Sequence, residues 1–128
     1  MLQQREYKRG QIYIVNLPEG KGSIQSRTRP CVLISNNLAN HYSQVLHVCP
    51  VTTATLKSKL PTHIGISKKN GLLKDSIALC EQVMLVTKDS LINFAGCCDE
   101  DTMKRIDRGI AIQFGLLTNL ERIKNNYA

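Results

Sequence analysis

Apolar residues in this chain come in short runs, and only the last third shows a helical period. Gln11-Ile12-Tyr13-Ile14-Val15-Asn16-Leu17 alternates well enough to predict a strand in a thin barrel wall, and Cys31-Val32-Leu33-Ile34 is a compact run rich in β-branched residues. Pro30 fixes its own φ and pushes Arg29 out of the helical region, so a strand is expected from Pro30 to Ser35. Asn36-Asn37 is a cap signal for a short helical turn through about Tyr42. Further strands are expected over Val45 to Thr52, over Thr62 to Ile66, and over Ser76 to Val86, the last as one long strand or a pair bent near Gln82. Asn70-Gly71 marks a turn, Thr87 to Ser90 another, and a final strand falls around Phe94 to Cys97. Asp99 then caps the one long helix, with Glu100 and Asp101 at its positive end and an apolar stripe of Met103, Ile106, Ile110, Phe114 and Leu117. Short strands in a row closed by one helix predict an α+β chain: a small β-barrel or strongly bent antiparallel sheet with a long C-terminal helix.

Composition adds boundaries to this picture. At 128 residues the chain is expected to form one domain, large enough for its own core. No stretch approaches the roughly 18 apolar residues of a membrane span, and Met1-Leu2-Gln3-Gln4-Arg5 lacks a signal-peptide core, so a cytoplasmic protein is expected. The five cysteines include no CxxC pair, and Cys31, Cys49 and Cys80 sit inside apolar runs, as reduced core thiols do. No cofactor and no metal site is expected.

The charge of +7 is unevenly spread. Residues 1–74 hold eleven Lys/Arg against two acids, whereas residues 75–128 hold six against eight. Concentrated positive potential suits a polyanion such as RNA or DNA, although a basic solvated surface would look the same in sequence.

Arg29 stands at the junction of a polar loop and a buried strand. A guanidinium rooted there is held rigidly, stays charged, and presents a planar fork of five donors that matches phosphate oxygens. The alternative is an arginine in a strand-edge salt bridge.

The runs Arg9-Gly10-Gln11-Ile12-Tyr13, Gly22-Ser23-x-Gln25 and Thr28-Arg29-Pro30-x-Val32-Leu33-Ile34-Ser35-Asn36 together resemble the MazF/PemK endoribonuclease toxins of bacterial toxin–antitoxin pairs. The resemblance continues in one register through Pro50-Val51-Thr52, Lys59-Leu60-Pro61-Thr62-His63, Gly71 to Ser76, Glu81-Gln82 and Asp99 to Met103, covering about residues 9–117. It implies an SH3-like barrel, a homodimer, and metal-free cutting of single-stranded RNA. It also implies neutralisation by an antitoxin whose acidic tail fills the RNA groove; any DNA binding would run through the antitoxin complex.

Metal-free cutting uses the substrate's own 2′-hydroxyl to attack phosphorus, leaving a 2′,3′-cyclic phosphate and a 5′-hydroxyl. Arg29 matches the family's catalytic arginine, the natural clamp on the phosphorane oxygens. Thr52 matches its catalytic threonine, a position that without the resemblance would read as a strand-end hydroxyl satisfying local backbone. The general base stays unassigned: Ile24 and Ser23 stand where some relatives carry an acid and a histidine, and His41, His47 and His63 read as structural. Lys21, Arg27, Lys57 and Lys59 are expected on phosphates, and Ser23, Gln25, Ser26, Thr28 and Gln82 on base edges. Glu81 matches an acidic position that contacts or activates RNA in relatives, but Leu79 replaces the arginine some of them pair with it. Two other classes stay open: a gyrase-poisoning toxin of the same fold, which depends on a tryptophan-containing tail this chain lacks, and a barrel that binds without chemistry.

Overall fold

The computed structural model of the chain describes residues 6–22, 24, 27–53 and 60–117. Seven strands form one antiparallel sheet: β1 Gln11–Leu17, β2 Arg27–Leu33, β3 Val45–Thr53, β4 His63–Ile66, β5 Ser76–Leu79, β6 Met84–Thr87 and β7 Leu91–Cys97. The spatial order is β4-β5-β3-β2-β1-β7, with β6 also pairing β3. This path is open at both ends, so the expected barrel is a strongly bent sheet rather than a closed cylinder. Helix α1 spans Asn37–Tyr42 and α2 spans Glu100–Gln113. Among the described residues no helix is long and apolar enough to cross a membrane.

Strand β3 organises the bend. Its first half pairs β6 from Val45↔Thr87 to Val48↔Met84, and its second half pairs β5 from Val51↔Ala78 to Thr53↔Ser76. The expected long segment from Ser76 to Val86 is therefore two strands, parted by a 3-10 turn over Cys80–Gln82. The predicted bend near Gln82 is that turn.

Alternation along β3 feeds two cores. Cys49 and Val51 join Ile12, Val32, Ala78, Cys80 and Ile106 beneath α2. Leu46 and Val48 join Tyr13, Val15, Leu17, Cys31, Leu33 and Val86 on the other face. Successive strand residues point to opposite faces, so both sides of β3 are read from adjacent positions.

Helix α2 begins as its sequence predicts: the Asp99 side chain accepts from Thr102 N at 2.8 Å, and hydrogen bonds from the Thr102 hydroxyl and then its backbone N–H hold the Asp99 carboxyl below its ordinary range. Its end differs. Leu116 N donates to Ala111 O and Gly115 N to Ile112 O, with Gly115 at φ +71. That is a Schellman termination, and a left-handed glycine makes it inexpensive. Phe114 consequently leaves the stripe and lies 60% exposed, while Met103, Ile106 and Ile110 stay on the packed side. Gly109 is buried against the sheet: a Cβ there would come within 3.0 Å of Cys80 Sγ and 3.2 Å of Ile64 Cγ1, so glycine sets how closely α2 can lie.

Candidate active site

Strand β2 starts at Arg27, three residues before the expected Pro30, because the chain already pairs β1 there: Leu17↔Arg27, Asn16↔Thr28 and Val15↔Arg29. On its other side β2 pairs β3 only from Leu33↔Val48 to Cys31↔Pro50. Pro30 has no N–H, and it shares the alternation of Ile34, whose N–H donates to His47 O at 3.0 Å, so the missing donor is one that would face β3 and the ladder stops there. Continued by two residues, its register sets Arg29 opposite Thr52, where the strands part. Pro30 thus ends the ladder beside the two residues expected to do chemistry.

Arg29 and Thr52 also project from the same face. Arg29 keeps the alternation of Cys31 and Leu33, and Thr52 that of Val48, all residues of the core away from α2. Both are half-buried at the margin of that core. The proximity of Arg29 to the core registers electrostatically: burial pushes the Cys31 thiol up to about 12, and the Arg29 charge opposes that shift. Arg27 enters the strand at φ +66, a left-handed conformation costing a non-glycine residue about 1–2 kcal/mol. It is exposed, as is Thr28.

The same face carries a polar cluster that the sequence reading missed. Register runs Thr52↔Ile77 between β3 and β5, then Ile77↔Gly65 and Leu79↔His63 between β5 and β4. His63 therefore lies on the Thr52 side, two strands across. Its Nε2 is 3.0 Å from Glu81 Oε2, and Thr62 Oγ1 donates to Glu81 Oε1 at 3.1 Å. The pair is mostly sheltered, with side-chain exposures of 17% for His63 and 22% for Glu81. The Glu81 charge is also felt at Cys49, whose thiol is pushed up chiefly by its hydrogen bond to Cys80 and by burial. A reading of His63 as a strand residue and Glu81 as a separate RNA contact does not foresee this joining. The one available signal is that Thr62-His63 and Glu81 flank two strands that pair.

Gly65 is exposed, and a Cβ there would meet nothing, which leaves a shallow cavity of about 290 Å³ beside Ile77, Ser67 and Asp75. Gln82 ends the 3-10 turn, half-buried, one residue beyond Glu81. Lys21 is exposed. Ser23, Gln25, Ser26, Lys57 and Lys59 lie outside the described residues. His41 and His47 are exposed on α1 and β3, away from the Glu81 cluster. Among the described residues no group of three or more His, Cys, Asp or Glu is gathered to hold a metal.

The fold is an open, bent antiparallel sheet packed against one long helix, with Arg29 and Thr52 on one face just beyond the end of the β2/β3 ladder. The family model for the PemK-like, MazF-like toxin of type II toxin–antitoxin systems matches residues 8–114. The chain belongs to that family. It is 33% identical over 111 residues to the Endoribonuclease EndoA of Bacillus subtilis (strain 168), covering 86% of this chain and 96% of that protein. Its fold matches a crystal structure of MazF from Deinococcus radiodurans with a TM-score of 0.76 at 17% identity, over 88% of this chain and 99% of the other. It also matches a mycobacterial endoribonuclease in complex with its cognate antitoxin, with a TM-score of 0.73 at 24% identity, over 87% and 97% of the two chains.

Proposed function

We propose that this toxin is an endoribonuclease that cuts single-stranded RNA without a metal, with Arg29 and Thr52 as its catalytic residues. The observation that carries the reading is their register: one face, opposite positions, where the β2/β3 ladder ends. Kinship with a relative named as an endoribonuclease supports it.

The chemistry follows from what each group can do. The substrate's 2′-oxygen attacks the adjacent phosphorus while its proton leaves, the P–O5′ bond breaks, and O5′ takes up a proton. The products are a 2′,3′-cyclic phosphate and a 5′-hydroxyl. Negative charge grows on the two non-bridging oxygens. The planar fork of Arg29 meets those oxygens with a fixed charge, and the Thr52 hydroxyl adds a neutral hydrogen bond. Half-burial strengthens both relative to the same groups in open water. Arg27 and Lys21 extend the positive surface along the incoming strand.

The same site accounts for the partners. A homodimer would join two basic surfaces into one longer groove, and an acidic antitoxin segment would occupy it in place of RNA. The mycobacterial structure with its cognate antitoxin is one precedent among the matched folds. A cytoplasmic location fits an RNA substrate.

Incubating the purified protein with a long unstructured RNA in excess chelator is the test. Discrete fragments with 5′-hydroxyl ends are expected. Cutting that stops on chelation and returns with magnesium would overturn the metal-free mechanism.

A further inference from the structure

We propose that His63 and Thr62 are positioning residues that aim the Glu81 carboxylate at an amino group of a nucleobase in the bound RNA, so that β4 sets sequence preference through Glu81. The inference rests on the endoribonuclease reading and goes beyond it: it assigns a positioning role to two residues to which neither the family resemblance nor the comparisons give one.

The geometry comes first. The Glu81 carboxylate is held at both oxygens, by Thr62 Oγ1 at 3.1 Å and His63 Nε2 at 3.0 Å. Two donors on two separate oxygens fix the plane of the carboxylate, which a single contact cannot do. Both donors come from the start of β4, and their acceptor comes from the turn that ends β5. Cys80 N donates to Thr62 O at 3.0 Å, which ties the two segments together at the residue before Glu81. The assembly is therefore rigid in backbone as well as in side chains.

Placement comes second. His63 faces the Thr52 side of the sheet, offset by two strands and two residues. Strand spacing and rise put it roughly 12 Å from Thr52, within the span of neighbouring nucleotides along a bound strand. Next to His63 on this face of β4, Gly65 has no side chain, and open space lies above it. A base splayed from the scissile phosphate has room there.

Chemistry comes third. An ionised carboxylate only accepts hydrogen bonds, and each Glu81 oxygen keeps a second lone pair after its protein contact. It repels phosphate and meets N–H groups: the exocyclic amines of adenine, cytosine or guanine. Uracil and the phosphate backbone offer no such group. A carboxylate held in plane discriminates by geometry; a swinging one would not.

The test removes single amino groups from the substrate. Once the cut site is mapped on a long RNA, short oligonucleotides carry purine riboside for adenosine, inosine for guanosine, or a 4-deaminated pyrimidinone riboside for cytidine, one position at a time. At one position the wild type should lose about ten- to a hundredfold in kcat/KM, the usual worth of a good base contact. His63→Leu should cut natural and deaminated oligonucleotides equally, while melting close to wild type. His63→Gln should restore discrimination, because its amide nitrogen falls near the position of Nε2; His63→Asn should not. In a Glu81→Gln background, His63→Leu should change discrimination no further. If His63→Leu fails to fold, Thr62→Val removes the other donor and gives the same readout. Discrimination that survives in folded His63→Leu, or a wild type indifferent to every deaminated position, overturns the proposal. A uniform loss of rate in Glu81→Gln, whatever the base, also overturns it and points to the 2′-hydroxyl instead. A wild type that cuts no RNA overturns the endoribonuclease reading itself.

Discussion

Val51 and Thr52 are neighbours on β3, yet they belong to regions with opposite demands. Val51 is buried beneath α2 with Cys49, Ala78, Cys80 and Ile106, a closed apolar layer that Gly109 allows the helix to approach closely. Thr52 lies half-buried on the other face, in a row with Arg29, Ile77 and Gly65, near the Glu81 cluster. The helix-covered face is core alone, whereas the other face is core in its middle and polar at its margin. That margin holds a charge, a hydroxyl and an acid, each half-buried. A strand separates these demands at the smallest possible distance, one residue. Substitution in the layer beneath α2 should register in stability, and substitution at the polar margin in rate.

The strongest way to break that division is Arg29→Ala. A positioned charge on a developing phosphorane is worth several kcal/mol, so cleavage should fall about a thousandfold or more, at roughly 1.4 kcal/mol per tenfold. The melting temperature should stay within a few degrees. Near wild-type cutting by a folded variant would remove Arg29 from the mechanism.

Ile106→Ala probes the covered face. Ile106 is fully buried, and truncation there should cost about 3 kcal/mol in urea unfolding. Under conditions where the variant is folded, its rate on RNA should match wild type. A rate loss as large as the stability loss would show that the two faces are coupled.

Thr52→Ala should cost about a hundredfold in rate, less than Arg29→Ala because it deletes one neutral hydrogen bond. Its stability should hardly move, in contrast to Val51→Ala next door. Equal effects of the two neighbours on melting temperature would contradict the division of faces.

The smallest effect concerns the helix start. The hydrogen bonds from Thr102 hold the Asp99 carboxyl below its ordinary range. A depressed folded value stabilises the protein above the ordinary range, roughly pH 4, and that contribution is lost as the pH falls through the folded value. Asp99→Asn keeps an acceptor but cannot titrate, so its melting temperature should fall less steeply with acid than that of wild type. Superimposable acid profiles would show that the cap adds no proton linkage.

Most elements were legible because their signals are local. Pro30 and the β-branched run announced β2, Asn36 announced α1 by accepting from Ala39 N, and Asp99 announced α2. Errors arose where distance along the chain hid the deciding partner. The start of β2 at Arg27 depends on pairing with Leu17. The end of α2 at Gln113 depends on Gly115 turning left-handed, which overrode an apolar period running on to Leu117.

The sequence by itself determined which residues alternate, where strands and helices begin, and, through the motif around Arg29 and Thr52, which family the chain belongs to. Hydrophobic period, proline and capping residues act within a few positions, so a single strand of text contains them. Only the tertiary structure decided that β3 changes partner midway, that the β2/β3 ladder ends at Cys31↔Pro50, and that His63 closes on Glu81 from 18 residues away. Those outcomes depend on register between strands, and register is set by which cores can be filled on both faces at once.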